Sequence, residues 1–172
     1  MTTKDLVLCA IFAAIISIFS VITIPIGQVP VTMSVFGILL TSYILGPRRA
    51  TIATAIYILL GAVGLPVFSG FRGGLPILFG ATGGYINSYI PVAIVAGIVF
   101  SKRKTFFGAV AGGGVSVIIC YLLGTIQLMI VTNMPFVEAL GVGVIPFIIF
   151  DAIKIVVASI VGIGVSKRLP QK

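Results

Sequence analysis

The sequence predicts an all-α integral membrane protein, one bundle of six transmembrane helices with its N and C termini in the cytoplasm. Three observations lead there: the composition, the breaks between apolar runs, and the lopsided placement of the cations. Hydrophobic residues make up 59% of the chain and charged residues 8%. Soluble domains carry about 25% charged residues, so this surface is built for membrane lipid. The length suits a single domain, residues 1–172.

The first apolar run, Asp5 to Ile24, is long enough to span and lacks the small-residue cleavage site of a secretory signal. Met33–Gly46 and Ala50–Val63 are shorter, and the Pro47-Arg48-Arg49 break separates them. Residues from Gln28 to Thr32 can lengthen the second span at its start. Gly83–Phe100, Phe106–Thr132 and Leu140–Ser166 complete the six.

Charge placement supports that count independently. With six spans, Lys4, Arg48, Arg49, Lys102, Arg103, Lys104, Lys167, Arg168 and Lys172 all fall on one side. Arg72 alone lies in a loop on the other, and Lys154 sits inside a span. Short loops rich in Lys and Arg stay cytoplasmic, which orients the bundle. The net charge of +8 therefore reflects caps beside anionic headgroups, and no nucleic-acid partner is expected.

The segment from Gly64 to Gly84, between the third and fourth helices, holds seven glycines, two prolines and the single charge of Arg72. Glycine at that density supplies unusual backbone angles, while Phe68, Phe71 and Phe79 make the segment too apolar for a solvated linker. It reads as a Gly-rich outer loop folded over the bundle as a lid, or as a connector packed for stability. Backbone outside helices is tolerated at membrane depth only where protein covers it or it lines a cavity.

The most informative side chains are Asp151 and Lys154, opposite charges three apart within an apolar run. A charged residue near the centre of a spanning helix costs roughly 2.5–3.5 kcal/mol on insertion scales. The i, i+3 spacing puts both on one helical face. Lys154 lies thirteen residues before Lys167, which places it about 20 Å above the cytoplasmic end, past the midplane. A pocket there opens outward, within reach of Arg72. An apolar cavity with three charged groups suits an amphipathic organic solute with an anionic end. A structural ion pair is the alternative, although desolvation makes buried pairs poor stabilisers.

Other chemistries are poorly supplied. His is absent and acidic residues number three, so zinc sites and Ser–His catalysis lack their parts. No metal ligand set and no cofactor is expected. The chain has no G-x-x-x-x-G-K-[ST] loop and cannot hydrolyse ATP by that route. Cys9 and Cys120 lie too far apart in depth for a structural disulfide.

Several stretches, in order, resemble the BioY family, the biotin-specific substrate-binding (S) components of energy-coupling factor (ECF) transporters. They are Val29-Pro30-Val31-Thr32, Leu45-Gly46-Pro47-Arg48, Gly64-Leu65-Pro66-Val67-Phe68 with Gly70-Phe71-Arg72-Gly73-Gly74, Thr82-Gly83-Gly84-Tyr85, and Asp151-x-x-Lys154. The resemblance implies ligand roles for Arg72, Tyr85, Asp151 and Lys154, with Ser69 and Thr82 as further candidates. The chain departs from the family at Ala81, at Ile149-Phe150, and at Gln127, a pocket-wall position that is often aromatic. Ala10 and Ala14 form the A-x-x-x-A pattern that such proteins present to a transmembrane coupling subunit. Alanines four apart also serve ordinary helix packing.

The resemblance implies a high-affinity biotin-binding subunit, with biotin as transported ligand, that takes its energy from a coupling subunit and two ATP-binding subunits. It is not an enzyme on this reading. The alternatives are an S component for another vitamin and a stand-alone secondary transporter of a small organic anion. The latter usually shows internal repeats, and residues 1–86 show no convincing similarity to 87–172. A membrane enzyme using Asp151 and Lys154 as acid and base is poorly equipped, with so few acidic groups.

Overall fold

The computed structural model describes residues 2–25 and 29–168. Gln28 and Lys172, used above for a span boundary and for the charge asymmetry, lie outside them. Among these residues the architecture is helical apart from one small ribbon. Four segments among the described residues are long and apolar enough to cross a membrane: Thr3–Val21, Gly83–Lys102, Phe106–Thr132 and Phe136–Ser166.

Helix α1 (Thr3–Val21) starts with a capping box, in which Thr2 accepts from the Asp5 amide and Asp5 accepts from the Thr2 amide. The other Asp5 oxygen pairs with Arg49 at 2.7 Å, tying the start of α1 to the start of the helix Pro47–Ala62. The expected first span ran to Ile24, but α1 ends at Val21. Thr23–Ile24 (β1) then pairs antiparallel with Val31–Thr32 (β2), Thr23 opposite Thr32. β-branched residues beside Pro25 and Pro30 favour extended backbone there. That short ribbon brings Thr32 to the mouth of the bundle.

Helices α2 (Ser34–Leu45) and α3 (Pro47–Ala62) are separated by Gly46 alone, at φ +77°. Pro47 occupies the first turn of α3, where its missing N–H costs nothing. Arg48 and Arg49 are therefore helical, not linker as the expected start at Ala50 had it. A single residue suffices to turn the chain because glycine reaches the left-handed region freely.

The Gly-rich segment contains a one-turn helix, α4 (Leu75–Phe79), so it is not wholly irregular. Phe68 is buried, with its ring edge-on to Tyr57. Phe71 and Phe79 are instead more than two-thirds exposed, so only one of the three aromatics turns inward. Helix α5 (Gly83–Lys102) and helix α6 (Phe106–Thr132) pack closely along their lengths. A Cβ on Gly84 would stand 2.6 Å from the Leu123 carbonyl oxygen, and one on Gly124 would enter the Tyr85 ring. Small residues permit this approach, the usual device between membrane helices.

The last apolar run is broken. Helix α7 (Phe136–Gly143) is followed by a 3-10 turn, Ile145–Phe147, and then by α8 (Ile148–Ser166). Pro146 lacks the N–H that a continuous helix needs. Asp151 thus falls in the first turn of α8, not mid-helix as the run length suggested. The free N–H groups and positive end of the helix dipole there favour a carboxylate.

Buried hydroxyls on these apolar helices mostly turn back onto their own chain. Thr41, Ser42, Ser116 and Ser159 each donate to the carbonyl four residues earlier. Such bonds hide a hydroxyl from lipid without a partner helix. Tyr43 instead bridges elements. Its phenol donates to the Ala109 carbonyl on α6 at 2.7 Å, and its ring fills the notch at Gly162 of α8.

Candidate functional site

The end of the bundle that carries the ribbon, the Gly-rich segment and the α7–α8 break holds a cavity. Its walls include Ser20, Thr32, Ser34, Tyr57, Phe68, Tyr89, Tyr121 and Phe147. Arg72, Tyr85, Asp151, Lys154, Ser69 and Thr82, the six residues expected to touch a solute, all line it too. With the open space at its mouth included, it amounts to about 710 Å³.

The charged end is assembled by α6 and α8. Lys154 Nζ donates to Asp151 Oδ1 at 2.8 Å, and both side chains are 6% exposed. The Tyr121 phenol donates to the other oxygen, Oδ2, at 2.7 Å. Both carboxylate oxygens thus already hold a charge-assisted bond, yet each keeps a second lone pair. Only one of the three Lys154 N–H groups is used by Asp151, so the ammonium retains donors. The arrangement can grip a group that donates and accepts side by side.

Arg72 stands at the mouth. The turn that carries it closes through Phe68 N–H to Arg72 O at 2.9 Å, with Gly70 and Phe71 both at positive φ. Its Nε donates to the Ser69 carbonyl at 3.3 Å, while the residue as a whole stays exposed. The guanidinium therefore keeps most of its five donors for an arriving anion.

Two anchors hold this segment over the cavity. At its start, the Gly74 amide donates to Gly61 O at 2.7 Å, and the Phe68 ring lies where a Gly61 side chain would be. At its end, Gln127 Nε2 donates to the Leu78 and Gly80 carbonyls at 2.9 and 2.8 Å. Asn87 donates to the Leu78 carbonyl as well. Gln127, expected at the pocket wall, is thus a clamp beneath the Gly-rich segment and does not line the cavity. Gly83 and Gly84 make room for it, since a Cβ on either would collide with its side chain.

Tyr85 lines the cavity with its ring but gives its hydroxyl hydrogen to Gly143 O on α7, at 3.0 Å. Ala10 and Ala14 lie elsewhere, exposed on α1 to one side of the buried stripe of Cys9, Ala13 and Ile16. Both cysteines are free. Among the described residues no three His, Cys, Asp or Glu side chains gather as a metal site.

Sequence reasoning passed over Tyr121 and a second polar group on the cavity wall. Ser20 and Tyr57 hydroxyls are 2.6 Å apart, Ser34 donates to Ser20 at 2.9 Å, and Thr32 donates to Ser34 at 2.9 Å. Hydroxyls in apolar helices are common, so their only usable signal was Thr32 in the Val-Pro-Val-Thr stretch.

A helical membrane bundle with a lidded, partly charged cavity at one end is the architecture of a solute-binding membrane subunit. A sequence model of the BioY family matches residues 1–171. The biotin transporter BioY of Thermotoga maritima is 40% identical over 164 residues, covering 95% of this chain and 96% of its own. The probable biotin transporter BioY of Pyrococcus horikoshii is 35% identical over 161 residues, covering 94% and 95%. A crystal structure of the S-component for biotin from an ECF-type ABC transporter is similar with a TM-score of 0.89 at 29% identity, covering 97% of this chain and 95% of that one. The chain belongs to the BioY family, and it is a multi-pass membrane protein.

Proposed function

We propose that this chain is the high-affinity biotin-binding subunit of an ATP-driven vitamin uptake transporter. It is a single transmembrane domain, residues 1–172, crossing the membrane six times with both termini in the cytoplasm. The cavity faces outward, captures biotin and is delivered inward when the protein reorients in the membrane. It has no enzymatic activity and no cofactor of its own. A transmembrane coupling subunit, met by the Ala10–Ala14 face, and two ATP-binding subunits supply the energy.

The observation that carries this reading is the meeting of Asp151, Lys154 and Arg72 in one cavity with Tyr57, Phe68, Tyr85 and Tyr89. The bicyclic ring lies among the aromatics, and a ureido N–H reaches the free lone pairs of Asp151. The valerate carboxylate meets Arg72 or Lys154, both of which keep donors. Ser69 and Thr82 border the entry. The relatives named for biotin transport support this ligand over other vitamins of similar shape.

Equilibrium titration of the purified protein against a panel of vitamins tests the proposal. Biotin is expected to bind alone and tightly, and Asp151→Ala and Lys154→Ala are each expected to weaken it strongly. Wild-type affinity in both variants, or a preference for another vitamin, refutes the assignment.

A further inference from the structure

The hydroxyl group on the cavity wall has one hydrogen too many. Thr32, Ser34, Ser20 and Tyr57 carry four hydroxyl hydrogens, and three hydrogen bonds join them in a row. Thr32 gives its hydrogen to Ser34 and Ser34 gives its own to Ser20. In the third bond either Ser20 or Tyr57 donates. Whichever does so, the other keeps a hydrogen that the row does not use. Both residues are only 1% exposed, and both line the cavity.

A buried hydroxyl hydrogen without an acceptor is costly, because the lost water bond is not replaced. Here the open direction is the cavity. The surroundings select the partner further: Phe68 and Val35 also line the cavity, the Tyr89 hydroxyl stands against Thr32 and Ser34, and none of these groups carries a charge. The matching group is a neutral oxygen acceptor attached to an apolar body. An anion is better served by Arg72 or Lys154.

We propose that the Ser20–Tyr57 end of this row is a second binding subsite, a neutral donor that takes a carbonyl oxygen of the solute. On the biotin reading, on which this assignment rests, that oxygen is the ureido carbonyl. Asp151 then receives a ureido N–H while Tyr57 or Ser20 donates to the C=O between the two nitrogens. One flat group is read as donor by α8 and as acceptor by α1 and α3.

The test compares biotin with 2-iminobiotin, whose protonated exocyclic nitrogen donates where the ureido oxygen accepts. Wild type is expected to prefer biotin strongly. In Tyr57→Phe the spare hydrogen retreats to Ser20, and biotin affinity is expected to fall about tenfold while 2-iminobiotin changes little. Ser20→Ala, which leaves Tyr57 in place but breaks the row, is expected to narrow the ratio less. The ligand-free melting temperature of Tyr57→Phe is expected to stay close to wild type, because one hydrogen is unmatched in both. An unchanged biotin to 2-iminobiotin ratio in both variants, with wild-type biotin binding intact, overturns the subsite and leaves the biotin reading standing. Failure of wild type to bind biotin overturns both.

Discussion

Tyr121 on α6 donates its phenol hydrogen to Asp151 Oδ2 on α8 at 2.7 Å, a side-chain bond in the cavity that joins those two helices. It completes a carboxylate whose other oxygen is held by Lys154. In Tyr121→Phe the ring stays and only the donor goes. An orphaned buried acceptor costs about 1–3 kcal/mol, so the variant is expected to melt earlier and to bind biotin about tenfold more weakly. Thermal unfolding and calorimetric titration read the two effects separately. Unchanged values in both would mean that the bond is dispensable.

The Asp151–Lys154 pair gives a sharper test, because its members should not act additively. Removing one partner of a buried pair leaves a bare charge at a cost of about 3–5 kcal/mol, whereas replacing both by apolar groups is often nearly neutral. Asp151→Leu and Lys154→Met are therefore each expected to destabilise the ligand-free protein strongly. The double variant should recover much of that loss yet still fail to bind biotin. A double-mutant cycle on unfolding supplies the coupling energy, and additive losses would argue that the two charges do not depend on each other.

These charges were legible in the sequence because an ionised group in an apolar run stands out whatever its neighbours are. Arg72 was legible for the same reason, and the glycine-rich stretch around it announced irregular backbone. The helix start just before Asp151 was less so: reading Leu140–Ser166 as one span missed the break at Pro146, although proline itself was the warning. The count from Lys167 back to Lys154 runs along α8 from its cap, clear of that break. Helix α6 matched its predicted limits, Phe106 to Thr132, since Thr105 caps one end and Asn133 adopts left-handed backbone at the other. Tyr121, Ser20 and Tyr57 were not legible at all, and Gln127 stood out only as a departure at the pocket wall, not as a clamp. Each is an ordinary residue of an apolar helix until the fold shows whose carbonyl or hydroxyl it meets.

The two anchors of the Gly-rich segment make distinct predictions. Gly61→Ala places a methyl where the Phe68 ring lies, 2.1 Å from its Cζ, so the ring must leave Tyr57. Loss of both stability and biotin affinity is expected, as for an overpacked core at about 1–3 kcal/mol. Gln127→Met keeps the volume and removes two bonds, those to Leu78 and Gly80. Its cavity walls are untouched, so the expected effect is kinetic: biotin dissociates several-fold faster while the bound state stays similar. Stopped-flow release measurements decide it, and equal release rates would show that the clamp does not govern opening.

The coupling face proposed on α1 offers a test that separates binding from transport. Ala10 and Ala14 stand outward beside Val7, Ile11 and Ile18, and none of the five lines the cavity. Close approach of another helix needs side chains no larger than alanine at such positions. Ala10→Trp and Ala14→Trp are thus expected to leave biotin affinity and melting temperature unchanged in the isolated protein. Uptake by cells that also contain the coupling and ATP-binding subunits is expected to fall severely, as is co-purification of those subunits with the variant chain. The isolated subunit serves as its own control, since a fold defect would appear in both measurements. Full uptake by both variants would place the coupling contact on another face of the bundle.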